Sequence, residues 1–282
     1  MLCGMRQTYR GRHLNGFLHK RGQLHFASSL VTSLVLAYSL IATVIPTADD
    51  PLTRYGTPDG TVIRYRRFLL SPDHPRRSAL WTIEYLTPAI LHGDANRAGI
   101  AFKPSLDASP EFRASNDDYA LTGYDKGHLV PANDLGAQAA MVETFTLLNV
   151  TPQLPDFNRR SWLALENHIR DIVLSEGSHG RVAVWCITCP VYVPPRGVDA
   201  VTVKFIGRNM VAIPPFCGKA VLIQRGDASN LECKSWIMPN TDGNSDNLNT
   251  FAVTTDEFER RSGLECWRKL PQNVQQRLEA VR

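Results

Sequence analysis

The run Tyr124-Asp125-Lys126-Gly127-His128-Leu129-Val130-Pro131-Ala132-Asn133-Asp134 constrains this chain more than any other stretch of it. It sets an acid, a cation, a glycine and a histidine in four consecutive positions and closes with a proline. That composition suits a turn at the end of a strand, where function sits, and is not what a core strand tolerates. His128 is the candidate general base, because a neutral imidazole accepts a proton from water near neutral pH without unusual surroundings. Asp125 or a nearby carbonyl would fix its tautomer.

Two further segments carry matching chemistry. Leu147-Leu148-Asn149-Val150-Thr151-Pro152-Gln153 reads as a buried strand ending at proline, and an Asn149 embedded there is costly unless hydrogen-bonded, which marks it as a site residue. In Asp156-Phe157-Asn158-Arg159-Arg160-Ser161-Trp162-Leu163-Ala164-Leu165-Glu166, Asn158 has no turn to justify it and is followed by an aromatic and an acid at helical spacing. An amide oxygen with water forms a hard ligand set suited to magnesium. Trp162, Leu165, Ile169 and Ile172 recur every three or four positions and Gly177 follows as a stop, so a helix is expected from Asn158 through Leu174. At ~1.5 Å rise per residue, Asn158 and Glu166 would stand ~12 Å apart along it, which casts Glu166 as the holder of a metal-bound water.

Together these residues resemble the DNA/RNA non-specific endonuclease family, the ββα-metal nucleases that include endonuclease G and secreted bacterial nucleases. The family's signature is Asp-Arg-Gly-His, an Asn before a Pro-Gln pair, then Asn, Trp and Glu on the metal-binding helix. Here those are Asp125-Lys126-Gly127-His128, Asn149 with Pro152-Gln153, and Asn158, Trp162 and Glu166, with Glu143-Thr144-Phe145 also matching. The resemblance runs from about Tyr55 to about Leu270 and departs from the pattern at Lys126, where the family has Arg. It implies an α+β fold, a ββα-metal (His-Me finger) nuclease with a central, mainly antiparallel sheet flanked by helices. It also implies a metal-dependent endonuclease without base specificity that leaves 5′-phosphates. In that scheme His128 is the base, Asn158 holds magnesium, with manganese as the alternative, and Asn149 and Glu166 complete the catalytic set. Arg97 and Lys126 grip phosphate, Arg113 standing in if the alignment slips. DNA and RNA are the implied substrates; the resemblance leaves room for a homodimer and an inhibitor protein, and membrane contact is confined to the amino-terminal segment.

That segment holds Arg6, Arg10, Arg12, Lys20 and Arg21 without an acid, and Ala27 through Pro46 then carries no charge. A basic stretch before an apolar one reads as a signal peptide or membrane anchor over residues 1–48, with export to the outside or the periplasm expected and a mitochondrial presequence as the rival. The endonuclease domain would occupy 49–282. The leader's five cations account for the net charge of +4: the remaining 26 Lys and Arg face 27 Asp and Glu. Net charge therefore offers no support for nucleic-acid binding, and phosphate recognition must rest on a few placed cations.

Cys3 lies in the leader; Cys186, Cys189, Cys217, Cys233 and Cys266 remain, and an exported chain would pair some of them in one or two disulfides. Cys186-Ile187-Thr188-Cys189 has redox spacing but sits inside an apolar run, so a thiol oxidoreductase is a weak alternative. A stronger one is a nucleic-acid-binding homologue that has lost catalysis, which Lys126 would permit, since an ammonium lacks the bidentate fork of a guanidinium.

The remaining elements follow from pattern. Thr61–Tyr65 and Leu80–Leu86 are expected strands joined by a turn at Ser71-Pro72-Asp73-His74-Pro75, and Ala137–Leu148 a helix with Met141, Phe145 and Leu148 on one face. Val182–Thr188 is near-continuously apolar and so central in a sheet. Val201–Ile206 and Ala220–Ile223 are further strands, Met238–Asn249 is a loop, and a capped helix starts near Thr255 and ends near Gly263.

Overall fold

The structure, a computed structural model, describes residues 50–177 and 182–281. The expected leader over 1–48 lies outside them. Along the chain come β1 (Ile63–Arg64), β2 (Phe68–Asp73), β3 (Ser78–Leu86), α1 (Pro88–Leu91), β4 (Asp125–His128), α2 (Gln138–Glu143), β5 (Val150–Gln153), α3 (Leu163–Gly177) and β6 (Val182–Val191). Then follow β7 (Lys204–Ile206), β8 (Val211–Ile213), β9 (Phe216–Arg225), β10 (Leu231–Pro239), β11 (Ala252–Val253), α4 (Thr255–Ser262) and α5 (Gln272–Glu279).

Seven strands form one sheet in the order β1-β2-β3-β6-β9-β10-β11, each neighbouring pair antiparallel. β6 is apolar at nearly every position because it lies in the middle and both its faces are covered. Val184 and Cys186 pack with Trp162, Leu165, Ile169 and Val173 on one side, while Trp185, Ile187 and Cys189 pack with Phe258 and Leu278 on the other. Successive strand residues point to opposite faces, so one run feeds two cores. The expected α+β architecture, an antiparallel sheet between helices, is the one observed.

Several boundaries differ from expectation, each for a local reason. Ser71, Pro72 and Asp73 belong to β2 rather than to a turn: the register shifts between Ser71 and Pro72, a bulge that accommodates a residue with no N–H. The turn itself comes at 74–77, with Arg77 at φ 58°. The expected helix over 137–148 is shortened to α2, and Leu147–Asn149 form a 3-10 turn, so Asn149 precedes β5 instead of lying within it. β7 pairs only with β8, away from the main sheet. β10 begins seven residues before the expected loop; its Glu232 and Lys234 disguise a strand whose Trp236, Ile237 and Met238 are buried.

The disulfide expectation is overturned. All five described cysteines are free and buried, Cys186 and Cys217 in the core against α3 and Cys189, Cys233 and Cys266 in the other. Cys186 and Cys189 stand three apart on a strand and so face opposite ways, which also removes the redox reading. Burial raises every one of these thiols, Cys186 and Cys217 to about 12. None is a thiolate at neutral pH. A thiol-reactive chromophore should therefore titrate none of these five in native protein and all five in denaturant; prompt native reaction at any of them would contradict this packing.

Candidate active site

β4 and β5 pair only with each other, in the register Asp125↔Gln153, Lys126↔Pro152, Gly127↔Thr151 and His128↔Val150. Gly127 is required here: a Cβ would lie 2.1 Å from Cδ and Oε1 of Gln153. A two-stranded ribbon is marginal alone, and side chains from elsewhere hold its working end. The Trp162 indole donates to the His128 carbonyl at 3.4 Å, and the Leu129 N–H donates to the Asn149 carbonyl at 2.9 Å. Lys219 Nζ donates to the Leu129 carbonyl at 3.2 Å. The Asn149 amide takes both sides of Val130, accepting from its N–H and donating to its carbonyl, each at 3.0 Å, and donates also to the Thr144 carbonyl. Every backbone polar group from the His128 carbonyl to the Val130 carbonyl is thereby held. Asn149 is fully buried behind the cleft and does not line it, so its amide positions the loop and has no free group for substrate.

After β5 the chain enters a π-helical turn, Phe157–Trp162, that runs into α3. Irregular helical turns of this kind recur at functional sites, and this one presents Asn158. Asn158 Nδ2 donates to Asp125 Oδ2 at 2.9 Å. Arg159 grips the same carboxylate with two bonds, Nε to Oδ2 at 2.8 Å and Nη2 to Oδ1 at 2.7 Å. Asp125 thus orients the Asn158 amide, not the His128 ring as the sequence suggested.

Arg97, Phe102, Lys126, His128, Asn158, Arg159 and Glu166 line one cleft of about 310 Å3. Four separate segments bring them together. The His128 ring sits between Phe102, centroids 5.0 Å apart, and the edge of Phe145 at 5.1 Å, and its Nε2 has no hydrogen-bond partner among the described residues. Burial, and then the Arg97 charge, lower its pKa from 6.5 to about 3, so the ring is neutral and able to accept a proton at pH 7. Arg97 is exposed beside Phe145. Lys126 Nζ makes no ion pair among the described residues and lies 5.3 and 5.8 Å from the rings of Tyr119 and Phe102. Arg113, the alternative cation, donates instead to the carbonyls of Ala108 and Leu106 and is absent from the cleft lining.

Glu166 is nearly buried at the base of the cleft. Desolvation raises its carboxyl to about 7, with Lys219 opposing and Asp134 adding to the shift. Beneath it lies a charged network that the sequence reading missed: Asp134 pairs with Arg170, and Lys219 lies 3.9 Å from Glu84, each 1% exposed. Burial pushes Glu84 well above the carboxylate range; for Lys219, desolvation works against the ammonium, but the surrounding acidic groups, Glu84, Glu166 and Asp134 among them, leave its pKa raised. Arg159 was missed too, although its place beside Asn158 could have flagged it. The donor set fits a hard cation: among the described residues Asn158 Oδ1 accepts no protein hydrogen bond while Asp125 holds Nδ2, and Glu166 lines the same cleft.

Residues 49–273 match the sequence profile of the DNA/RNA non-specific endonuclease family. Bovine mitochondrial endonuclease G is 35% identical over 219 residues, covering 76% of this chain and 71% of that protein. Nuclease EXOG of Xenopus laevis, also mitochondrial, is 32% identical over 264 residues, covering 90% and 72%. A solved endonuclease G, crystallised with the inhibitor EndoGI, superposes with a TM-score of 0.72 at 30% identity over 81% of this chain and 94% of that one. With a profile match across the domain and relatives of this identity and coverage, the chain belongs to the DNA/RNA non-specific endonuclease family.

Proposed function

We propose that this nuclease hydrolyses DNA and RNA phosphodiesters with His128 as general base, Asn158 and Glu166 around a divalent cation, magnesium or manganese, and Arg97 and Lys126 on the phosphate. The observation that carries this reading is the convergence of all five on one cleft, with a neutral imidazole whose Nε2 has no competing partner. His128 takes a proton from water as the water oxygen bonds to phosphorus. The bond to the 3′-oxygen breaks, leaving a 5′-phosphate and a 3′-hydroxyl. A cation bound through Asn158 Oδ1 would stabilise negative charge on the leaving oxygen. Asp125 fixes the Asn158 amide so that its oxygen faces the cleft, and Lys126, uncommitted to any acid, is available to a phosphate oxygen. An uncommitted cation beside an intact base argues against the inactive-homologue reading.

Residues 1–48 fit a targeting leader ahead of the nuclease domain. Five described thiols buried without a disulfide, together with relatives named as mitochondrial, favour a mitochondrial address over export. The solved relative's inhibitor makes a protein inhibitor a reasonable partner, one whose acidic groups would meet the cleft's cations.

Incubation with plasmid and RNA, with magnesium or with EDTA, tests the activity directly: both substrates should be cut, and only with the metal. His128→Ala should lower kcat by at least about 100-fold, the range of general acid-base catalysis, with little change in melting temperature at pH 7.5. Retention of most of the rate would remove His128 as the base. The depressed pKa also has a stability sign. The folded ring resists protonation while the unfolded one accepts it below 6.5, so stability is full above that pH and falls as the pH drops towards 3. His128→Asn should shrink the fall in melting temperature between pH 7.5 and 4.5.

Magnesium titrations separate the two cation-facing residues. Asn158→Ala should weaken the metal requirement's apparent affinity more than Glu166→Ala, whose cost should lie within about 10–100-fold. An unchanged magnesium dependence in Asn158→Ala would place the ion elsewhere.

Lys126→Arg should leave kcat/KM on duplex DNA equal or higher and less sensitive to salt, because a guanidinium gives two parallel donors to phosphate while an ammonium relies more on the long-range attraction that salt screens. Superimposable salt curves for wild type, Lys126→Arg and Lys126→Ala would eliminate a role for Lys126 in gripping phosphate.

A further inference from the structure

We propose that Lys219 is a positioning residue for catalysis: its buried ammonium sets the place of His128 by holding the Leu129 carbonyl against the central sheet. This rests on the reading of His128 as the base. Lys219 projects from β9 on the face that packs against α3. Its Nζ donates to Thr188 Oγ1 at 2.8 Å and to the Leu129 carbonyl at 3.2 Å, with Cys186 Sγ at 3.8 Å. It also lies 5.2 Å from the centre of the Trp162 ring, whose own N–H donates to the His128 carbonyl. One ammonium therefore meets the residue that directly follows His128, and through the tryptophan the π-helical turn that carries Asn158.

The geometry gives this contact more weight than an ordinary core bond. β4 makes no ladder bond to the seven-stranded sheet, so nothing repetitive sets its distance from that sheet. Asn149 holds the Val130 peptide, but it lies just ahead of β5 and would move with the ribbon. Lys219 is anchored differently, on β9 and against Thr188 of β6, at the centre of the molecule. Without it the Leu129 carbonyl would be a buried acceptor lacking its partner, free to turn towards another donor and carry His128 with it. Misplacement of a catalytic group by about 1 Å can cost on the order of 100-fold in rate.

The competing account makes Lys219 only a counter-charge for Glu84, whose two carboxylate oxygens accept no hydrogen bond and one of which stands 3.9 Å away. The two accounts part in a charge-neutral deletion. Lys219→Met alone strands an acid in the core, so the deciding variant is Lys219→Met with Glu84→Gln, prepared as the full chain and compared by thermal melting. The expected result is a melting temperature within a few degrees of wild type, kcat lowered about 10–100-fold, and KM and the magnesium titration nearly unchanged. Thr188→Val, which removes the anchor and keeps the charge, should lower kcat in the same direction. Adding His128→Ala to the neutral pair should bring no loss beyond His128→Ala alone, because Lys219 acts through His128. Wild-type kcat in the folded neutral pair, or losses that multiply in the triple variant, would overturn the proposal. His128→Ala measured in parallel keeps the two readings apart: if that variant is active, the base assignment fails, whereas an inactive His128→Ala beside a fully active neutral pair fails Lys219 alone.

Discussion

The site depends on the attachment of a short ribbon to a sheet it does not join. β4 and β5 exchange ladder bonds only with each other. Two strands of four residues bury too little by themselves to keep a histidine in place. Side chains supply what the ladder does not. Ser78 donates to the Val150 carbonyl at 2.8 Å from β3, and Asn240 donates to the Pro152 carbonyl while accepting from the Leu154 N–H, both at 2.9 Å. Asn149, Trp162 and Lys219 join Ser78 at the end that carries His128, and Asn240 holds the end at Pro152. Each of these bonds is worth about 1 kcal/mol net, yet leaving one of the buried carbonyls unpaired costs more than the bond contributes. The attachment therefore has few intermediate states, and this is what keeps a catalytic strand end in register without a sheet around it.

The same arrangement explains why polar residues occupy the middle of a core. On the face of the sheet that meets α3, Glu84, Thr188 and Lys219 lie among Leu86, Cys186 and Val221. An apolar substitute could fill the volume, and buried ion pairs are often no more stabilising than such a substitute. Apolar groups cannot, however, donate to the Leu129 carbonyl. The buried Asp134 pairs with the partly buried Arg170, linking the turn after β4 to α3. The charged interior serves geometry at the junction between sheet and site, and the purely apolar cores lie on either side of it.

What the sequence made legible was chemistry carried by residue type at fixed spacing. His128, Asn158 and Glu166 could be named because an imidazole, an amide and an acid near a proline-closed strand and a helical period have few other uses. Val182–Thr188 declared itself central by being apolar at nearly every position. Residues whose role comes from the fold stayed hidden. Lys219 reads as a lone cation in a strand, and only the antiparallel pairing of β6 with β9 sets it beside Thr188. Asn149 looked like a group facing substrate because a buried amide must bond to something, and the sequence could not say that its partners were the backbone of Thr144 and Val130. β10 was lost because a strand near the sheet edge carries charges that break the alternation. Disulfides were expected from an address and a count, neither of which bears on where five thiols point.

Arg159 changes how the departure at Lys126 is understood. Asp125 accepts two bonds from Arg159 and one from Asn158, so its charge is balanced by the residue next to the amide it orients. The planar guanidinium suits this fixed, bidentate task, and an ammonium could not orient the carboxylate as well. With the acid already satisfied, the cation on the neighbouring strand position has no partner to leave when substrate arrives. On the proposed mechanism a lysine serves there because the job is to put charge near a phosphate whose position is set by other groups: the fixed histidine, the oriented amide and the exposed Arg97. On that reading the geometry-critical cation and the substrate-facing one are different residues, and a near-neutral domain can still present local positive charge where a polyanion would enter.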